Sequence, residues 1–196
     1  MLELTLDTRV DLARSGARHG LGLFETLRIQ DGQPRWLEAH LARLGAGCAF
    51  LGLALPPPAE AVRAFLEAEG VLRGMGRGAL RMLAVDDRLG IVAEAPPEPL
   101  PGPVILGRSF DTTRFSGNPL NRHKTLAYLE NLRLTREAER RGLFEVVALN
   151  ERGRLTDGGR TTLFLLRRGR LFTPPVAEGA LPGIARHLLL TSGLAV

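Results

Sequence analysis

The chain has 196 residues, 44% of them hydrophobic and 24% charged, with Cys48 as its one cysteine. That length carries one large or two small packed domains, and a lone cysteine excludes an internal disulfide, a CxxC redox pair and a cysteine-built metal cage. The formal charge of +5 favours anionic small molecules. The arginines, however, run from Arg9 to Arg186 interleaved with acids, and few aromatics stand among them, so no nucleic-acid partner is expected.

No stretch approaches the roughly 18 unbroken apolar residues of a membrane span. The start, Met1 to Asp7, is acidic and alternating rather than basic then apolar, so an unexported cytoplasmic protein without a membrane partner is expected.

In chain order, Leu21 to Gln30 predicts a strand, Asp31-Gly32 a hairpin turn and Arg35 to Leu37 the return. Leu37, Leu41, Leu44 and Cys48 recur at helical spacing up to Gly52, and Pro58 opens a second helix that reaches Gly70. The basic stretch Arg73 to Arg81 reads as a flexible turn before a strand, with a phosphate-contacting loop as the alternative. Leu80 to Val85 and Ile91 to Ala95 predict a hairpin, and the prolines between Ala95 and Pro103 predict a rigid connection. After a short strand at Val104 to Leu106, the polar run Arg108 to Asn121 reads as a linker between lobes.

Thr125 to Arg141 then predicts a long helix stopped by Gly142. Strands are expected at Phe144 to Leu149, Thr162 to Leu166 and Arg170 to Phe172, followed by a helix from Pro182 through Leu190. Leu194 to Val196 starts a further strand pattern.

Of the 26 basic residues, only Lys124 is a lysine. Arginine serves wherever a charge or a donor fork suffices, but its guanidinium is never a free amine, so a single retained lysine is a candidate for amine chemistry on a carbonyl cofactor. A chance survivor on a solvated helix is the alternative. If the cofactor is pyridoxal 5'-phosphate, three further groups are needed. Leu181 to Ile184 offers a helix N-terminus for the phosphate, with Gly183 permitting close approach and Arg43 adding a charged fork. Asp157, before Gly158-Gly159, is the candidate for the ring nitrogen. Tyr128, one helical turn after Lys124 on the predicted helix, is the candidate for the ring hydroxyl. Each also reads otherwise: Arg43 as a solvated helix charge, Asp157 as a turn residue, Tyr128 as core. His19, His40, His123 and His187 form no metal-binding pattern, so no metal is expected.

Five ordered motifs carry a resemblance. Gly20-Leu21-Gly22-Leu23-Phe24-Glu25-Thr26-Leu27-Arg28, His40 to Leu44, Lys124 to Asn131, Asp157 to Phe164, and Thr173-Pro174 with Leu181 to Arg186 resemble, in the same order, those of fold-type IV pyridoxal-phosphate enzymes. That family includes branched-chain and D-amino acid aminotransferases and aminodeoxychorismate lyase. The resemblance implies an α+β fold of two lobes, a smaller N-terminal α/β lobe over residues 1–110 and a C-terminal pseudobarrel lobe over residues 111–196, in a homodimer. It implies that Lys124 is the Schiff-base lysine and that Arg43, Gly183 and Ile184 hold the phosphate. It further implies that Asp157 faces the ring nitrogen and that Tyr128 and Thr162 complete the cofactor site.

Three departures stand out. Asp157 replaces the family's usual glutamate, Thr162 replaces its usual asparagine, and the chain stops at Val196, where family members carry further elements. Within the family, the compact length, the placing of Cys48 and Leu51 after Arg43 and the short prolyl loops most resemble aminodeoxychorismate lyase. That likeness implies pyruvate release from an amino substrate bearing carboxylates, with Lys124 as base, Thr26 as proton donor, and Phe24, Arg28 and Arg81 against the substrate. Against it, Asp86-Asp87-Arg88 replaces the arginine-glycine loop of many lyases. An aminotransferase for branched-chain or D-amino acids is the alternative, and a non-catalytic cofactor-binding homologue a third.

Overall fold

The computed structural model describes residues 1–96, 98 and 102–195. They form two compact units: Met1–Pro99 with His123–Ala127, and Leu100–Arg122 with Tyr128–Val196. His123–Ala127, the segment that carries Lys124, belongs to the first unit.

The first unit is a five-stranded sheet of order β1-β5-β4-β2-β3, built from β1 (Glu3–Thr5), β2 (Gly22–Gln30), β3 (Gln33–Pro34), β4 (Arg77–Val85) and β5 (Arg88–Glu94). Its pairs are antiparallel except β1 with β5. The predicted turn at Asp31-Gly32 is present with φ of 54° and 71°, the left-handed pair that matches the twist of a two-residue hairpin. Successive β2 side chains alternate between faces. Leu23, Leu27 and Ile29 point into a core shared with Leu80, Met82, Leu89 and Ile91. Three helices belong to this unit: α1 (Ser15–His19), α2 (Leu37–Leu51) and α3 (Ala59–Ala68). From α2 and α3, Leu37, Leu41, Leu44, Cys48, Val62 and Leu66 cover the core, as the helical spacing predicts.

The second unit holds a three-stranded sheet of order β6-β7-β8, from β6 (Leu106–Thr113), β7 (Glu145–Leu149) and β8 (Leu155–Gly158), and a hairpin of β9 (Leu165–Arg167) and β10 (Arg170–Phe172). Its helices are α4 (Leu129–Arg140) and α5 (Ile184–Thr191). Leu134 and Ala138 of α4 pack on Val146 and Ala148 of β7.

Three expectations are corrected. The polar run after Arg108 is not a linker throughout, because Leu106–Thr113 is a strand that pairs in parallel with β7 at Leu106 to Arg108 and again at Thr113, with an irregularity between. Thr162 lies outside a strand, since β9 begins only at Leu165. The long helix begins at Leu129 instead of Thr125. Residues 124–126 run extended along β2: Phe24 N donates to Lys124 O and Leu126 N to Gly22 O, both at 2.9 Å, with Leu23 opposite Thr125. These long-range bonds and the burial of Thr125 override a weak local helix preference. Of the proline-rich connection, residues 97 and 99–101 lie outside the described residues. Leu194 to Val196 forms no named strand; Ala195 makes one isolated bridge to Leu171, and Val196 lies outside the described residues.

Gly22 lets this segment approach. A Cβ there would lie 2.7 Å from Ala84 O and 2.7 Å from Leu126 Cδ1. Gly22→Ala is expected to push β2 off either neighbour and cost about 1–3 kcal/mol of stability, read as a lower urea midpoint at unchanged slope.

Candidate functional site

In the first unit, strand alternation and register decide which groups share a surface. Phe24, Thr26 and Arg28 occupy the β2 face opposite the core residues. Arg81 is the register partner of Thr26 on β4, so its side chain emerges on that same face. Lys124, partly buried, has its Nζ 4.2 Å from the centroid of the Phe24 ring, a cation–π contact that fixes the head group. Arg81 Nε is 2.8 Å from Glu94 Oε1. A cavity of about 380 Å³ on this face is lined by Thr26, Arg28, Arg77 and Ala79 among others.

Arg43 is no solvated helix charge. Its Nε donates to Glu25 Oε1 at 2.7 Å and its Nη2 to Glu25 Oε2 at 2.6 Å; His40 Nδ1 also meets Oε2 at 2.7 Å. Glu25 is only 1% exposed. Burial pushes its carboxyl up, but the His40 and Arg43 hydrogen bonds and the Arg43 charge prevail and leave it below the usual glutamate range. Glu25 had no assigned role in the sequence reading, although an acid at an inward position of an alternating strand is a signal that a buried cation must face it. Cys48 is fully buried, and burial pushes its thiol up, which leaves it packing instead of reacting.

In the second unit, Asp157 sits on β8 at 6% exposure. Leu181 N donates to its Oδ2 at 2.8 Å, while Oδ1 lies 3.3 Å from Arg114 Nε without completing a hydrogen bond. Burial pushes this carboxyl up against the opposing pull of the Arg114 charge and the Leu181 amide. The following loop is clamped from two sides. Glu145 receives the amides of Gly159 and Arg160 and the Thr161 hydroxyl at 3.0–3.2 Å. Tyr128 Oη and Asn131 Nδ2 both donate to Gly159 O. Glycine is required here, since a Cβ on Gly158 would strike Glu145 and one on Gly159 would strike Asn131 O at 2.7 Å.

Tyr128 therefore stands at the N-cap of α4, and the expected helical turn between it and Lys124 does not exist, because the chain from Lys124 to Leu126 is extended. Gly183 is the N-cap of α5, where the first amides have no helical acceptor. A Cβ on Gly183 would come within 2.9 Å of Thr162 Oγ1. The second unit thus brings Tyr128 and Asp157, and separately Thr162, Gly183 and Ile184, into ordered local settings. Glu145 and Arg114 are the residues the sequence reading missed.

These groups fit the proposed cofactor. The open Oδ1 of a buried carboxylate suits a protonated ring nitrogen, and a helix N-terminus stripped of a Cβ suits a phosphate. Among the described residues no group of three or more His, Cys, Asp or Glu side chains is placed to hold a metal, and no helix is long and apolar enough to cross a membrane.

The amino-transferase class IV family model matches residues 22–196. The bifunctional aminodeoxychorismate lyase / D-amino acid transaminase of Mycobacterium tuberculosis is 29% identical over 88% of this chain and 68% of its own length. A "Putative branched-chain-amino-acid aminotransferase" of Methanocaldococcus jannaschii is 27% identical over 94% of this chain and 69% of its own. A solved structure named "Putative 4-amino-4-deoxychorismate lyase" superposes with a TM-score of 0.77 at 33% identity, covering 98% of this chain and 79% of the other. The chain thus spans about two thirds of the length of these two curated relatives.

Proposed function

We propose, from the premise that this chain belongs to the class IV aminotransferase family of pyridoxal-phosphate enzymes, that it releases pyruvate from 4-amino-4-deoxychorismate to leave 4-aminobenzoate. The observation that carries the reading is Lys124, the single lysine, fixed by strand pairing to β2 and set against Phe24. Similarity at 33% identity to a structure bearing the lyase name supports the choice of reaction.

When bound, pyridoxal 5'-phosphate supplies an electron sink next to the substrate's amine-bearing carbon. Arg43, oriented by Glu25, and the turn at Gly183 and Ile184 would each offer donors to its phosphate. Asp157 would accept a hydrogen bond from the protonated ring nitrogen and keep it charged, and Tyr128 and Thr162 would support the cofactor through the loop after Asp157. Lys124 acts as general base and takes the proton from the amine-bearing ring carbon. The C–O bond on the adjacent carbon then breaks, enolpyruvate departs, and the ring becomes aromatic. Thr26 delivers a proton to the departing fragment, which becomes pyruvate. Phe24 walls the substrate, while Arg28 and Arg81 orient its carboxylates. A homodimer is part of this proposal, by likeness to the family.

The second reading is an aminotransferase acting on branched-chain or D-amino acids, favoured by the likeness to the Methanocaldococcus protein. The cofactor machinery is common to both. Purified chain loaded with cofactor and given 4-amino-4-deoxychorismate is expected to release pyruvate with no oxo-acid acceptor present. Turnover only with an amino donor and 2-oxoglutarate would establish the second reading, and neither signal would leave a cofactor-binding protein without catalysis.

A further inference from the structure

Arg114 is the most deeply buried arginine that the proposed reaction leaves without a task. It follows β6 directly, its amide bonded to Leu149 O at 2.9 Å, and the residue is 4% exposed. Its side chain passes Gly179, where a Cβ would stand 3.5 Å from Arg114 Cγ. Neither Nε nor Nη2 has a hydrogen-bond partner among the described residues, and the facing Asp157 Oδ1 has none either. Unpaired donors on a guanidinium this deep cost free energy on the order of kcal/mol, so the arrangement needs a reason.

Three groups face Asp157. Arg114 comes from the end of β6 with its Nε 3.3 Å from Oδ1, and the Leu181 amide, ahead of α5, donates to Oδ2. Glu145 on β7 adds a like charge. Its carboxylate is occupied by the amides of Val146, Gly159 and Arg160 and by Thr161 Oγ1. Of the three, Arg114 alone carries a positive charge. Without it a buried acid would stand beside another acid, and such a pair sheds one charge by binding a proton.

We propose that Arg114 is a positioning residue, the counter-charge that aims Asp157 Oδ1 and balances it for a cationic ring nitrogen. The shorter aspartate is then fixed by the Leu181 amide's hydrogen bond at Oδ2 and drawn by the guanidinium's charge at Oδ1. This inference rests on the assignment of Asp157 to the ring nitrogen.

The test uses the full chain, first without cofactor. With carboxyl-labelled aspartate, the Asp157 signal is identified by its loss in Asp157→Asn and followed against pH. Arg114→Met is expected to raise the Asp157 midpoint by about one unit or more, roughly tenfold in proton affinity, because the cation that faces it among the described residues is gone. Arg114→Lys is expected to stay near wild type, since it keeps the charge; a purely packing role would not distinguish Lys from Met in this readout. If the methionine variant does not fold, Arg114→Gln carries the same expectation. With pyridoxal 5'-phosphate added, the neutral variants are expected to lose the cofactor's visible absorbance at lower pH-matched occupancy than Arg114→Lys. An unchanged midpoint in Arg114→Met or Arg114→Gln overturns the inference, even where the protein still binds cofactor. A midpoint that moves in a chain that never takes up cofactor upholds the pair and sinks the cofactor assignment instead.

Discussion

Lys124→Ala is expected to lower pyruvate release by a factor of about 10³ or more, with little change in stability. The two effects separate because of where the residue's contacts lie. Its tie to β2 is made by the main-chain carbonyl, which accepts from Phe24 N, and alanine keeps that bond. Alanine removes the amine and, among its contacts, the one with the Phe24 ring, worth about 0.5–1 kcal/mol where partly exposed. No other lysine exists to substitute, and arginine at this position would supply charge without a free amine. Steady-state turnover and a urea melt on the same preparation check both halves. A variant that keeps more than a tenth of wild-type turnover would remove Lys124 from the chemistry.

Glu25→Gln carries the largest expected loss of stability, about 3 kcal/mol. The substitution preserves shape but removes the carboxylate that meets both Arg43 and His40, taking the Glu25 charge away from an Arg43 side chain that is only 12% exposed. The pH dependence has a definite sign. The folded Glu25 carboxyl lies below its ordinary value of 4.5, so its contribution is fully present above that value and is lost as pH falls through the lower, folded one. Urea midpoints of wild type and variant are therefore expected to differ most at neutral pH and to converge in acid. A constant difference down to about pH 3 would mean that the ionised form of Glu25 contributes nothing. The same variant is expected to bind pyridoxal 5'-phosphate more weakly, since Arg43 loses the fork that orients it.

The parts of the fold legible in the sequence are those decided by local chemistry. Asp31-Gly32 is the residue pair a left-handed two-residue turn requires. The apolar spacing of Leu37, Leu41, Leu44 and Cys48 places one helix, and Gly183 after Pro182 marks the start of another. What stayed hidden depends on partners far away in the chain. Thr125 to Tyr128 looks helical because nothing local reveals the carbonyl of Gly22 and the amide of Phe24 that hold it extended. Ser109 is the only buried position in β6, so this strand lacks the alternation that announces one, and its polar residues pass for a linker. The same holds for the site. Lys124, Arg43 and Asp157 stand out by rarity or motif, whereas Glu25, Glu145 and Arg114 act by holding other groups, and their tasks become visible only once the strands are paired.

The most direct test of the central claim is borohydride reduction of the chain loaded with pyridoxal 5'-phosphate, followed by peptide mass mapping. Lys124 is the single lysine, so the only competing amine is the N-terminus. The account predicts one stable pyridoxyl adduct per chain, on the peptide that contains Lys124. An adduct confined to the N-terminal peptide, or none on a chain that still retains the cofactor, would contradict it.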